Sequence, residues 1–300
     1  MTALYIIYCI KSNHYTSASD TQFIIMIMSI MKKITTVLVL FTISMLTVFA
    51  QSQSRKSVAI FGDSYSTFEG FITPSTNETW YFLGRHQIDN DVVAVEQTWW
   101  HQLIRRNGWK LAVNNSYSGS TISSSGYNGE DYTSRSFVTR APNLGDPDII
   151  FVFGATNDSW VPSPIGEYKY SGWTKDDLKS FRPSLARLLD YMTKRYLGVD
   201  IYFILNSELS EAIDSSVLDI CNHYSVPVIE LHDIDKKAGH PSIAGMKAIS
   251  DQVHAFVKNH KKANKTKAAS RKRDSRNSLP KKANPKRNNK NKAKKVEKQK

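Results

Sequence analysis

Residues 57–66 read Ser-Val-Ala-Ile-Phe-Gly-Asp-Ser-Tyr-Ser. A short run of β-branched, small and aromatic residues that stops at a glycine has the pattern of a buried strand entering a turn. Gly62 permits a tight backbone approach there. Ser64 is thereby set at the C-terminal end of a strand, where the chain turns sharply. The same kind of run recurs downstream at Leu111–Asn114, Asp148–Phe153, Ile201–Leu205 and Val226–Leu231. The unbroken apolar character of Asp148–Phe153 suits a strand covered on both faces. Helical patterns fill the gaps: Val95–Arg106, Thr174–Tyr196 with Pro183 as a kink or break, Ser210–Tyr224, and Pro241–Asn259. In the last of these Pro241 stands near the start, where its missing N–H costs least. Strands separated by helices imply βαβ units, so the expected fold is a three-layer α/β/α sandwich around a five-stranded parallel sheet. Ligand chemistry then belongs beyond the C-terminal ends of the strands.

The charge of the chain sits at one end. The 300 residues carry a formal net charge of +13, yet 18 of the 40 Lys and Arg lie in 261–300 beside only Asp274 and Glu297. Residues 1–260 hold 22 basic against 25 acidic residues. The basic character therefore belongs to a tail, which excludes a basic nucleic-acid-binding body. That tail of Lys, Asn, Ala and Arg is expected to be disordered. It can contact an anionic polymer or a cell surface, or serve as a solvated extension. It has no aromatic residue with which to stack bases, so no specific nucleic acid is expected.

Residues 31–50 read MKKITTVLVLFTISMLTVFA. Lys32 and Lys33 followed by the apolar run Ile34–Phe49 and a Val48-Phe49-Ala50 cleavage site form a bacterial secretory signal, the alternative being a membrane anchor. Met31 is the natural start of such a signal, and 1–30 is expected to be an over-extended start. The reading is then 1–30 start, 31–50 signal peptide, 51–260 folded domain, 261–300 tail, with a secreted or periplasmic protein as the result. Without 1–50, Cys221 is the single cysteine, and a buried structural thiol is expected.

Four motifs, in order, resemble the SGNH (GDSL) hydrolase family over most of 57–258. Gly62-Asp63-Ser64-Tyr65-Ser66 resembles its first block, Gly119 after the second strand its second, Gly154-Ala155-Thr156-Asn157-Asp158 its third, and His240-Pro241-Ser242 its fifth. The resemblance implies a flavodoxin-like fold and an ester hydrolase. It implies Ser64 as nucleophile, His240 as general base and then acid, and an oxyanion hole of the Ser64 N–H, the Gly119 N–H and the Asn157 amide. Activity should then fall as the pH drops through the pKa of His240, near ~6.5 if unperturbed.

The chain departs from the family at one place. Where the family has an Asp three residues before the His, this sequence has Lys237. Either Asp235 or Asp233 reaches in as the third member, or a main-chain carbonyl orients His240 in a Ser-His dyad. The dyad is favoured, with Asp235 next. Asp63 is expected to fix its loop by hydrogen bonds, and Asp158 to orient Asn157. The histidines form no ligand cluster and no phosphate-binding glycine loop occurs, so neither metal nor cofactor is expected. Aromatic residues in Asn77–Phe82, Tyr127–Tyr132 and Ser159–Trp173 could stack on sugar rings or simply anchor their loops. The family resemblance implies small or carbohydrate-borne acyl esters as substrates. The alternative is a noncatalytic glycan-binding or surface protein on the same fold.

Overall fold

The computed structural model describes residues 18–51, 55–84, 90–161 and 163–277. The chain divides into two units, Met1–Arg55 and Lys56–Lys300. In the first, a 34-residue helix, α1, spans Ala18–Gln51. Its window Ile25–Thr42 has a mean hydropathy of 1.8. The helix runs unbroken through Met31, and its apolar stretch begins before Lys32 and Lys33. By length and composition it meets the requirement for crossing a membrane, which a signal sequence near an N-terminus meets as well. Residues 1–17 of the expected extra start lie outside the described residues.

The second unit is built, in chain order, from β1 (Ser57–Gly62), α2 (Trp99–Asn107), β2 (Lys110–Asn114), α3 (Phe137–Arg140), β3 (Ile149–Phe153), α4 (Thr156–Trp160), α5 (Phe181–Arg195), β4 (Asp200–Leu205), α6 (Glu211–His223), β5 (Val228–Glu230), a short hairpin of β6 (Lys236–Lys237) and β7 (His240–Pro241), and α7 (Ile243–Asn277). Strands β1–β5 are parallel, in the order β2-β1-β3-β4-β5. Side chains alternate across the sheet, as period-two geometry requires. Ala59, Phe61, Ile150, Val152 and Phe203 pack with Leu185, Leu189, Val217 and Cys221 of α5 and α6. Val58, Ile60, Phe151, Phe153 and Ile204 pack on the other side with Trp99, Leu103, Met246, Ile249 and Val253 of α2 and α7. The three layers and the parallel sheet agree with the sequence reading. Cys221 is a buried free thiol, and burial pushes its pKa up.

Several boundaries move for local reasons. The helix expected from Val95 starts as a 3₁₀ turn, and α2 proper begins after Thr98, whose Oγ1 accepts from the His101 N–H at 3.4 Å. The helix expected from Thr174 is interrupted because the Asp177 carboxylate accepts from both Thr174 N and Oγ1, at 2.6 and 2.7 Å. Helix α5 therefore starts at Phe181, which puts Pro183 in its first turn, where it causes no kink. Pro241 is not in the closing helix, because His240–Pro241 pair antiparallel with Lys236–Lys237. Ser242 caps α7 instead, its Oγ accepting from the Gly245 N–H at 3.2 Å. The disorder expected from Lys261 does not hold over 261–277, which continue α7. Alanine, lysine and arginine are good helix formers once a docked helix supplies the nucleus. Residues 278–300 lie outside the described residues.

Gly62 ends β1 against two side chains. A Cβ there would sit 2.5 Å from Ser66 Oγ and 2.9 Å from Ser116 Oγ. Gly62→Ala should lower stability by about 1–3 kcal/mol in chemical denaturation and reduce turnover, because the displaced Ser66 lies in the Ser64 turn.

Candidate active site

The strand order reverses between β1 and β3, since the chain leaves β1 for β2 on one side and returns to β3 on the other. Such a reversal opens a crevice at the carboxyl ends of the strands. Ser64 opens a 3₁₀ turn directly after β1. Asp63 caps that turn, its Oδ1 accepting from the Tyr65 N–H at 3.0 Å, which is the loop-fixing role expected of it. Burial pushes the Asp63 carboxyl up to about 7.

His240 arrives from the β6–β7 hairpin, 176 residues later in the chain. Its Nε2 lies 2.9 Å from Ser64 Oγ, and its Nδ1 lies 3.1 Å from the carbonyl oxygen of Ala238. A carbonyl can only accept, so Nδ1 carries the proton and Nε2 presents its lone pair to Ser64. Ser64 and His240 are 3% and 6% exposed, so the pair is shielded yet reachable. Among the described residues no carboxylate bonds to the ring.

Asp235 does not occupy the third position. Its side chain accepts a short hydrogen bond from Ser242 Oγ, and its backbone carbonyl accepts from the Ser242 N–H, so it braces the start of α7. Asp233 is exposed and contacts His232. Lys237 turns to Asp91, with Nζ and Oδ2 2.7 Å apart. The other Asp91 oxygen accepts from the Ile243 N–H at 2.8 Å.

The hairpin hangs on its carbonyls. Tyr65 Oη donates to Gly239 O at 2.7 Å and Tyr81 Oη to Pro241 O at 3.0 Å. Asn90 Nδ2 reaches Lys237 O, His240 O and Pro241 O at 3.2–3.3 Å. The indole of Trp80 stacks on the imidazole, with centroids 3.6 Å apart and planes 9° from parallel. Of these residues the sequence offers only the Asn77–Phe82 aromatic cluster as a signal; their partners lie roughly 150 or more positions away along the chain.

The residues expected to supply oxyanion donors stand on three loops. Gly119 has φ +74° and open space where a Cβ would stand, so it is the left-handed backbone that calls for glycine there. Neither the Ser64 N–H nor the Gly119 N–H has an acceptor among the described residues. Asn157 is 2% exposed and follows Ala155, whose φ is +77°. Asn157 Nδ2 donates to Ser120 O at 2.9 Å, next to Gly119, and Oδ1 accepts from Tyr127 Oη at 3.1 Å. These two bonds set which end of the amide faces the Gly119 loop. Asp158 does not bond Asn157 as expected. Its carboxylate accepts from Ile122 N, Ser123 N and Ser123 Oγ at 2.7, 3.2 and 3.1 Å, which pins the loop that carries Ser120. Burial raises its pKa to about 6.

Arg140 of α3 ties the end of β1 to the loop after β2, a role with no sequence signature. Its buried guanidinium donates to Gly62 O at 3.3 Å, to Ser120 Oγ at 3.0 Å and to Asn115 Oδ1 at 3.0 Å. The cation lies over the neighbouring rings of Phe61 and Phe137, 4.9 and 4.7 Å from their centroids. Burial lowers its pKa to about 9, and the charge of Asp63 acts in the opposite direction.

Among the described residues no group of His, Cys, Asp and Glu could hold a metal ion. Most of the loop aromatics anchor their loops: Tyr81 and Tyr132 are buried, and Tyr170 stacks on His223 with centroids 3.9 Å apart. Trp160 differs, being 42% exposed with its ring centroid 5.9 Å from that of His240.

Burial pulls the His240 imidazole down to about 4, against a smaller upward effect from the Ala238 carbonyl. The neutral ring is the form that can accept a proton. Activity that depends on it is therefore present above pH 4 and lost as the pH falls through about 4, below the ~6.5 of an unperturbed ring. A kcat/KM profile should show its acid limb there. Asp235→Asn should keep turnover within about threefold, where loss of a triad acid costs about 10⁴.

The family model for GDSL-like lipases and acylhydrolases matches residues 56–257. A Bacteroides ovatus protein described as a candidate GDSL-like lipase is 59% identical, with 69% of this chain and 100% of that chain covered and a TM-score of 0.67. A Bacteroides uniformis protein of the same description is 52% identical, with 69% and 97% covered and a TM-score of 0.68. A Lactobacillus plantarum protein, at 19% identity and a TM-score of 0.51 over 69% and 98% of the two chains, shares the fold. No curated protein matches.

Proposed function

The chain belongs to the GDSL-like lipase/acylhydrolase family and is an ester hydrolase; from that premise we propose that it is a secreted serine esterase working through Ser64 and His240 on short acyl or carbohydrate-borne O-acetyl esters. The contact of 2.9 Å between Ser64 Oγ and His240 Nε2, with Nδ1 on a carbonyl, carries this reading. His240 takes the Ser64 proton as Oγ attacks the ester carbonyl carbon. The negative charge that develops on the carbonyl oxygen is met by the Ser64 N–H, the Gly119 N–H and Asn157 Nδ2. The imidazolium then protonates the departing alcohol, and water repeats the sequence on the acyl-serine to release the acid.

The half-exposed Trp160 beside the pair suits a sugar ring stacked over its face. The apolar window of α1 near the N-terminus supports export. The cationic segment from Lys261 onward suits retention on an anionic polymer or cell surface. The missing triad carboxylate favours one other reading, a noncatalytic glycan-binding protein on this fold.

Hydrolysis of a short-chain chromogenic ester should be abolished in Ser64→Ala and in His240→Ala. A fluorophosphonate should label Ser64 and no other residue. Wild-type protein that neither turns over any acyl ester nor takes the label would refute the esterase reading. Glycan binding that survives Ser64→Ala without turnover would establish the alternative.

A further inference from the structure

A Ser-His pair without a carboxylate lacks the group that stabilises the imidazolium. The carbonyl of Ala238 sets the tautomer but contributes only a dipole. Two carboxylates near the hairpin are committed elsewhere, Asp235 to Ser242 and Asp91 to Lys237, and Asp63 makes no hydrogen bond to the ring among the described residues. The groups that face the imidazole are aromatic. Tyr65, Tyr81 and Trp160 have ring centroids 5.2, 6.4 and 5.9 Å away and meet it at steep angles. Trp80 alone lies flat on it, at 3.6 Å.

The indole packs against the α2/α7 side of the core as well. Its Nε1 is buried and has no hydrogen-bond partner among the described residues, so the ring is not placed by its polar atom. The backbone of Trp80 is instead tied to the nucleophile turn: its N–H donates to Thr67 Oγ1 at 2.9 Å, and Thr67 Oγ1 donates to Ser64 O at 3.0 Å. The indole and the nucleophile are thus positioned by one short chain of bonds.

We propose that Trp80 is a positioning residue that stands in for the triad carboxylate, its face holding the His240 ring toward Ser64 and stabilising the imidazolium as the proton arrives. This rests on the esterase reading above. The face of an indole carries negative charge density, so its attraction for the ring grows when the ring becomes a cation. An interaction that strengthens toward the transition state raises kcat rather than lowering KM. A desolvated cation–π contact corresponds to about tenfold to thirtyfold in rate.

The test compares the full-length wild type with Trp80→Phe and Trp80→Leu on a short-chain chromogenic ester across pH, with circular dichroism as the check on folding. The expected result is a fall in kcat of about threefold for Phe and about tenfold to thirtyfold for Leu, with KM within about twofold. The acid limb of Trp80→Leu should lie at or below that of wild type, because the imidazolium has lost support. Equal kcat in all three proteins would overturn the proposal. So would an acid limb that rises toward ~6.5 in Trp80→Leu, since the indole would then have served only to keep water off the ring. If the Leu variant does not fold, the Phe variant and an NMR titration of the His240 ring decide the matter, with a lower ring pKa in Trp80→Phe expected and a higher one overturning. That titration needs no turnover. A wild type inert toward esters and fluorophosphonate would therefore sink the esterase reading while the ring contact was still tested.

Discussion

The pairing of β1 on both of its edges is the constraint on which the site depends. β1 is hydrogen-bonded to β2 on one side and β3 on the other, and each of its six residues is buried. A strand held in this way cannot shift its register without moving both neighbours and two core faces. The turn that carries Ser64 inherits that rigidity. Because the strand order reverses at β1 and β3, the loops after β1, β2 and β3 all open on one crevice, and these loops carry Ser64, Gly119 and Asn157. Arg140 holds the first two of these loops in mutual register. It does so through acceptors on Gly62, Asn115 and Ser120 that water cannot reach.

His240 is held in a different manner. Its hairpin is suspended from main-chain carbonyls by Tyr65, Tyr81 and Asn90, and its ring is clamped between a carbonyl and an indole. Each of these partners is uncharged. An imidazole placed among neutral groups and removed from water is harder to protonate, which explains the downward displacement of its pKa without any neighbouring cation. The site therefore exchanges the strong basicity conferred by a triad acid for a ring that stays neutral over a wide pH range. Such a ring keeps its lone pair well below pH 6.5 and gains a proton only near pH 4.

The parts of this arrangement that could be read from the chain are those coded locally. Buried strands announce themselves as apolar runs, as in Ser57–Phe61 and Asp148–Phe153, because both faces of a central parallel strand are covered. Ser64, Gly119, Asn157 and His240 stand immediately beyond strand ends or before the closing helix, so motif and topology point to the same residues. The misreadings are also local. Pro183 and Pro241 were each assigned by helix pattern alone. The Thr174–Asp177 turn moved the start of one helix, and pairing with Lys236–Lys237 drew Pro241 out of the other. Asp235, the second choice after the dyad, is bonded instead by the Ser242 hydroxyl at the start of α7.

The parallel α/β sheet, the order of the motif-bearing loops and the types of residue at the chemistry are legible in the chain, since periodicity and glycine-marked turns are short-range properties. The orientation of His240 is not, because it is fixed by long-range contacts. The contacts of Trp80, Tyr81, Asn90 and Arg140 join residues dozens to well over a hundred positions apart, and their energies depend on distance and burial that no local pattern encodes. A lysine at position 237 says that a carboxylate is missing. That the Ala238 carbonyl takes the Nδ1 contact, with an indole stacked on the ring face, follows only from the folded hairpin.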